Sequence, residues 1–156
     1  MLPHDLIKTA RCLAENGSGK PRQTNLHRAT STAYYAMFHA LARCCADLLV
    51  GGTGAERSSS AWKQVYRSLS HGPAKKACES KTLEKFPQEI QDFAYMFRQM
   101  QLKRHTADYD PTARTHKSTV LVDIDAVEAA IKDFAAVAIK DRRAFAAFVL
   151  FPERSA

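Results

Sequence analysis

The strongest constraint on the fold of this chain is an uninterrupted helical pattern over residues 24–49. Its apolar side chains recur every three or four residues, which is the spacing of one face of an α-helix. They form one stripe with a second, adjoining set: Leu26, Ala29, Ala33, Met37, Ala40, Cys44 and Leu48, then Tyr34, Phe38, Leu41 and Cys45. An apolar surface this wide predicts a helix that is buried on more than one side.

Four further segments carry helical periodicity. The first runs from Leu2 to Leu13 and is ended by a connector at residues 16–19, Asn-Gly-Ser-Gly. Another follows the candidate N-caps at residues 58–60 and is stopped by His71-Gly72-Pro73. A fourth helix begins near Pro87 and ends at about residues 109–110, before a proline. The last begins near Asp123 or Asp125 and is closed at residues 151–152.

Two segments are left open by the pattern. Residues 74–85 are polar and basic and fit either a loop or a short helix, and residues 112–122 are mixed. Six Gly and six Pro are too few for a β-rich chain that turns every ten residues or so. We therefore predict an all-α fold, an antiparallel bundle of four to five helices that forms one domain over residues 1–156.

The chain carries a formal net charge of +7 and has a sequence pI of about 9.4, which favours an anionic partner such as RNA, DNA or a nucleotide. A basic surface that only keeps the protein in solution explains the charge equally well. The four cysteines include no C-x-x-C pair, so neither a metal site nor a cofactor is predicted. With no secretory signal pattern and no long apolar run, we expect a cytoplasmic protein with no membrane contact.

Chemistry is most strongly indicated near the end of the fourth helix. Arg98 and His105 are seven residues apart, so they lie within about 20° of each other on one helical edge. Tyr109 falls about 40° beyond His105, and all three are expected at the margin of the buried face. A guanidinium binds phosphate and an imidazole transfers a proton to or from a ribose 2′-hydroxyl or a leaving oxygen, so Arg98 and His105 are candidate catalytic residues for RNA cleavage without a metal.

The same spacing has a purely structural interpretation. Arg98 would then pair with a carboxylate on a neighbouring helix, His105 would cover the edge of the core, and Tyr109 would pack with its hydroxyl satisfied. Spacing alone does not separate the two interpretations.

A family resemblance bears on that choice. The segment Arg28-Ala-Thr-Ser-Thr-Ala-Tyr-Tyr-Ala-Met-Phe-His-Ala resembles the long-helix signature of the HEPN superfamily. The segment Ala107-Asp-Tyr-Asp-Pro, which closes a helix, resembles a second signature of many members. The resemblance implies a helical bundle, often dimeric, with an Arg followed after four to six residues by a His. Arg98 and His105 are similar to that motif, which in active members forms a metal-independent ribonuclease site at the dimer interface.

Two functions follow from the resemblance. In the first, the domain binds RNA or nucleotides and acts as a toxin-like, metal-independent endoribonuclease, with Arg98 and His105 in a homodimer groove and an antitoxin as partner. In the second, it is a non-catalytic HEPN module that binds a nucleotide or a partner protein such as a nucleotidyltransferase. A purely structural helical subunit is a third possibility.

The candidate phosphate- or nucleotide-binding residues are Arg28, Tyr35, His39, Arg104 and Tyr109. The first three lie at positions i, i+7 and i+11, which share one helical face. In one interpretation, Arg28 and His39 extend a phosphate-binding surface there. The same three positions also fit a polar seam between the second and fourth helices, with Tyr35 hydrogen-bonded inside.

Overall fold

The long helix expected over residues 24–49 is present and lies at the centre of the molecule. A computed structural model describes residues 1–17 and 19–154, and within those ranges every regular element is a helix. The elements are α1 (Pro3–Glu15), α2 (Gln23–Leu49), α3 (Ser59–Ser68), α4 (His71–Cys78), a 3₁₀ turn (Lys81–Lys85), α5 (Gln88–Tyr109), α6 (Lys117–Ala135) and α7 (Ile139–Leu150). The all-α fold class is thus confirmed.

Helix α2 packs against α1, α3, α5, α6 and α7. Neighbouring positions along it are buried together, for example Ala33 with Tyr34 and Ala36 with Met37, so more than one face of the helix is covered. The many alanines let other helices approach α2 closely because their side chains occupy little space. The prediction of a helix buried on several sides is confirmed.

The core next to α2 is aromatic. Phe93 of α5 stacks on Phe134 of α6, with ring centroids 4.4 Å apart, and Phe134 meets Phe145 of α7 edge-on at 5.9 Å. All three side chains are buried. Aromatic pairs at these separations add to the stabilisation from burial, so α5, α6 and α7 are held together by one cluster.

Seven α-helices in the described ranges exceed the predicted four to five, and the first difference lies at His71-Gly72-Pro73. This tripeptide begins α4, whereas α3 already ends at Ser68. A proline in the first turn of a helix loses no intrahelical hydrogen bond, because the N–H groups there have no partner within the helix. The open segment 74–85 is therefore mostly the rest of α4 and the 3₁₀ turn.

The second difference concerns the last predicted helix. Helix α6 begins at Lys117, before the predicted start at Asp123 or Asp125, because the apolar stripe extends back to Val120. The chain then breaks at residues 136–138, where Arg142 Nε donates to the carbonyl of Val137 at 2.8 Å, and α7 follows. No Gly or Pro marks this break in the sequence.

Several predicted ends of helices are confirmed. The Ser58 hydroxyl caps α3 by accepting from the Ala61 N–H at 3.2 Å, and α5 ends at Tyr109. Pro87 is the residue that precedes α5 rather than its first helical position. Ser18, part of the predicted connector, lies outside the described residues.

Among the residues described, no helix is both long enough and apolar enough to cross a membrane.

Candidate functional site

Helix α5 places Arg104 over two aromatic rings of α2. The guanidinium carbon lies 5.1 Å from the ring centroid of Tyr34 and 5.9 Å from that of Tyr35. Arg104 Nη1 is 3.4 Å from Asp108 Oδ2, one turn further along α5, and the Arg104 side chain is only 12% exposed. A cation in this position gains from both the ring faces and the carboxylate, so Arg104 holds α5 against α2.

Asp108 also reaches across to α2. Its other carboxylate oxygen, Oδ1, accepts a hydrogen bond from the Ser31 hydroxyl. Ser31 belongs to the segment that begins at Arg28, and Asp108 belongs to the segment 107–111, so the two segments that carry the family resemblance contact each other. We call this contact the α2–α5 seam; it comprises Ser31, Tyr34, Tyr35, Arg104 and Asp108.

His71 of α4 adds a further contact to Tyr34, one of the seam residues. Nδ1 of His71 lies 2.6 Å from the Tyr34 hydroxyl, and the imidazole stacks on Phe38 with centroids 4.3 Å apart. The His71 carbonyl accepts from Gln101 Nε2 of α5 at 3.0 Å. These contacts fix the start of α4 against both α2 and α5.

His39 forms a similar pair further along α2, where α3 packs on it. Its Nδ1 is hydrogen-bonded to the hydroxyl of Tyr66 from α3, and the two rings stack at 5.8 Å. Burial lowers the pKa of both His39 and His71, and the nearby Arg104 guanidinium lowers that of His71 further. The charged form of each imidazole is thus disfavoured, and His39 serves as a hydrogen-bond partner of Tyr66 rather than as a ready cation.

The predicted catalytic residues lie on one helix but in different surroundings. Arg98 is half-buried, with its guanidinium carbon 5.6 Å from the ring centroid of Tyr95 and its charge near the Cys78 thiol. His105 is exposed, and its ring lies 4.9 Å from that of Tyr109, which is 67% exposed. Seven residues correspond to about 10 Å along the axis of α5, so each residue has its own set of neighbours.

The predicted binding residue Arg28 is exposed on α2. It precedes Ser31 by one turn, and its carbonyl accepts from the Thr32 hydroxyl at 2.7 Å. His105 precedes Asp108 by one turn on the facing helix, and Tyr109 follows Asp108 directly. A guanidinium, an imidazole and a phenol therefore each lie within one helical turn of Ser31 or Asp108 along their own helix. We call Arg28, His105 and Tyr109 the rim of the seam.

This arrangement suits recognition of a phosphate. The rim offers N–H and O–H donors to phosphate oxygens and one exposed ring to a base, while the seam beneath keeps the two helices in register. Within residues 1–17 and 19–154, no group of three or more His, Cys, Asp or Glu side chains is arranged to hold a metal ion.

The sequence predicts Tyr35 and Arg104 as site residues, but it does not predict the residues beside them. Tyr34 is predicted as part of the apolar stripe and of the HEPN-like segment, and His71 only as part of the tripeptide that ends a helix. One signal for Asp108 is present in the sequence: it follows Arg104 by four residues, a spacing that is typical of a helical ion pair.

Comparison of the chain with protein-family models, with curated proteins and with solved structures gives no match.

Proposed function

We propose that this chain is a HEPN-like helical domain that binds RNA or a nucleotide through phosphate contacts at the rim of the α2–α5 seam. The observation that carries the proposal is the joining of the two resembling segments by Ser31, Asp108 and Arg104. Segments that are 77 residues apart at this contact meet in space through their polar side chains, as parts of one site would.

Each member of the rim has a separate task. Arg28 donates to phosphate oxygens and keeps its charge at any working pH. Tyr109 presents an exposed ring on which a base stacks, and His105 lies against that ring. Arg104 is a positioning residue in this proposal, because its charge is already directed at Asp108 and at the rings of α2.

The positions of Arg98 and His105 on α5 favour binding over cleavage in a single copy of the domain. Cleavage requires a guanidinium and an imidazole at the same phosphate, whereas Arg98 and His105 are separated by about 10 Å along α5 and have different neighbours. A homodimer would meet the requirement by bringing Arg98 of one copy to His105 of the other. In the proposal, the nuclease activity therefore depends on a second copy, and the binding activity does not.

Binding is tested by fluorescence anisotropy with a labelled single-stranded RNA of ten nucleotides. We expect Arg28→Ala to weaken binding several-fold and to make the salt dependence less steep by about 0.7 in log–log slope, because one phosphate contact is lost. Lys132→Ala, an exposed change of the same charge on α6, is the control and should leave binding close to that of the wild type. Equal binding by the Arg28 and Lys132 variants would contradict the proposed rim.

Cleavage is tested separately by incubating the RNA with the protein in the presence of a chelator. Cutting by the wild type that is lost in both Arg98→Ala and His105→Ala supports a metal-independent endoribonuclease. Binding without any cutting supports the non-catalytic module. Light scattering at the same concentrations shows whether the second copy that cleavage requires is present.

A further inference from the structure

A second basic and aromatic surface lies further along α2, where α3 packs on it. A groove of about 320 Å³ runs between α2 and α3. Its basic and aromatic lining residues are His39 and Arg43 from α2 and Trp62, Lys63, Tyr66 and Arg67 from α3. We call it the α2–α3 groove. None of these residues belongs to the rim or to the α2–α5 seam.

The aromatic part of the groove is a column of stacked rings. Trp62 stacks on Tyr66 with centroids 5.1 Å apart and planes 30° apart, and Tyr66 stacks on His39 at 5.8 Å and 28°. The indole is held in place because its Nε1 donates to Asp47 Oδ1 at 2.8 Å. The rings cover one another's faces within the column, and the Arg57 guanidinium carbon lies 4.9 Å from the Trp62 ring centroid. The rings are half-buried, and they present what remains exposed to a partner without first losing side-chain freedom.

The charged part of the groove is entirely basic. Lys63 and Arg67 are exposed on successive turns of α3, and Arg43 lies with its guanidinium carbon 5.7 Å from the Trp62 ring centroid. In the described part of the chain, these three cations make no ion pair, and Arg43 Nε is buried without a hydrogen-bond partner. Asp47, which follows Arg43 by one turn on α2, is already bonded to Arg57 and to the indole.

We propose that the α2–α3 groove binds single-stranded nucleic acid, with the rings contacting bases and the three cations contacting phosphates. Cations interleaved with aromatic rings along a groove are the arrangement that single strands require, because every nucleotide brings one charge and one flat base. A duplex, whose bases are already stacked inside, leaves the ring column unused.

This inference rests on the proposed function, from which it takes the class of ligand, RNA or a nucleotide. It adds a minimum length for that ligand. Arg28 and Arg43 are fifteen residues apart on α2, which corresponds to about 22 Å along the helix axis. A mononucleotide cannot reach from the rim to the groove, whereas a strand of several nucleotides can contact both. The ligand is then a strand rather than a free nucleotide.

Trp62 is the only tryptophan in the chain, so its fluorescence reports on the groove alone. We expect a ten-nucleotide single-stranded RNA to change the Trp62 emission on titration. AMP should have little effect at the same nucleotide concentration, and an RNA duplex of equal length should leave the emission close to that of the free protein. An unchanged emission on saturation with the single strand overturns the inference.

The charges are tested with the double variant Lys63→Ala/Arg67→Ala. We expect it to bind the ten-nucleotide strand at least tenfold more weakly and with a log–log salt slope smaller by about 1.4, because two phosphate contacts are lost. Its affinity for AMP should not change. The matched control is Lys132→Ala/Lys140→Ala, which removes the same charge from exposed positions on α6 and α7. Equal losses in both double variants would mean that only net charge matters and would overturn the inference.

The two proposals fail in different ways. If Arg28→Ala weakens strand binding and Lys63→Ala/Arg67→Ala does not, the rim stands and the α2–α3 groove is excluded. The opposite result excludes the rim and keeps the groove. Circular dichroism on these two variants and on the lysine controls checks that the helices are intact, which is expected because the side chains substituted in them are exposed.

Discussion

The hydroxyl of Tyr34 lies 2.6 Å from Nδ1 of His71, which joins the middle of α2 to the first residue of α4. Phe38 covers one face of the same imidazole. The pair satisfies a phenol and a ring nitrogen that would otherwise be partly cut off from water. It also makes the attachment of α4 sensitive to the protonation state of His71.

Acid should therefore destabilise the fold. Burial lowers the pKa of His71 and His39 in the folded protein below the ordinary value of 6.5. As the pH falls through 6.5, the unfolded chain takes up protons that the folded chain resists, so the free energy of unfolding decreases. Urea unfolding at a series of pH values measures this. His71→Gln should reduce the dependence below pH 6.5, and His116→Gln, at an exposed position, should not.

The hydrogen bond itself can be removed with Tyr34→Phe. This change leaves the ring in place and deprives His71 Nδ1 of its partner, so we expect a loss of about 1–3 kcal/mol in the free energy of unfolding. Tyr35→Phe is the matched control, since Tyr35 makes no side-chain hydrogen bond within the described ranges. Urea denaturation curves that coincide for the two variants would show that the Tyr34–His71 pair contributes little.

Arg104 should matter for stability more than for ligand binding. Arg104→Ala removes the ion pair with Asp108 and the contact with the tyrosine rings, at an expected cost of roughly 2 kcal/mol. Arg104→Lys keeps the charge but not the planar group, so a smaller loss is expected. Thermal and urea unfolding measure both. A stable Arg104→Ala variant that fails to bind RNA would instead place Arg104 in direct contact with the ligand.

The cysteines should differ sharply in reactivity. Cys12 is exposed, whereas burial raises the pKa of Cys45 and of Cys78 to about 12 and that of Cys44 to about 11. Because the thiolate is the reactive form, a thiol reagent at pH 8 should modify Cys12 rapidly and the other three slowly. Colorimetric titration of the native protein, repeated in urea, checks this. The fast phase should vanish in Cys12→Ser, and a fast phase that persists there would contradict the burial of the others.

The extent to which the sequence predicts the fold depends on the element. Helix α2 was predicted to within one residue at its start because its apolar positions recur without interruption over its whole length. The early start of α6 had the same kind of signal, since Val120, Ile124 and Val127 continue one stripe. The break before α7 had none, because a hydrogen bond from Arg142 to a carbonyl replaces the usual Gly or Pro.

The candidate site was predictable only where its contacts are local. Arg104 and Asp108 are four residues apart on one helix, so their pairing can be inferred from spacing. The roles of Tyr34 and His71 depend on a contact across 37 residues, and the role of Ser31 on one across 77. No periodicity encodes such pairings, because they are set by how the helices pack.

The central position of α2 has a consequence for the dynamics of the whole molecule. Because α1, α3, α5, α6 and α7 all pack on it, most of its amide protons can meet solvent only when these neighbours separate together. Hydrogen–deuterium exchange should thus be slowest in the middle of α2 and should proceed there through global unfolding, while α3, which contains no buried residue, exchanges through local opening. A ligand that binds on α3 would therefore contact a helix that opens more readily than the central helix α2 on which it packs.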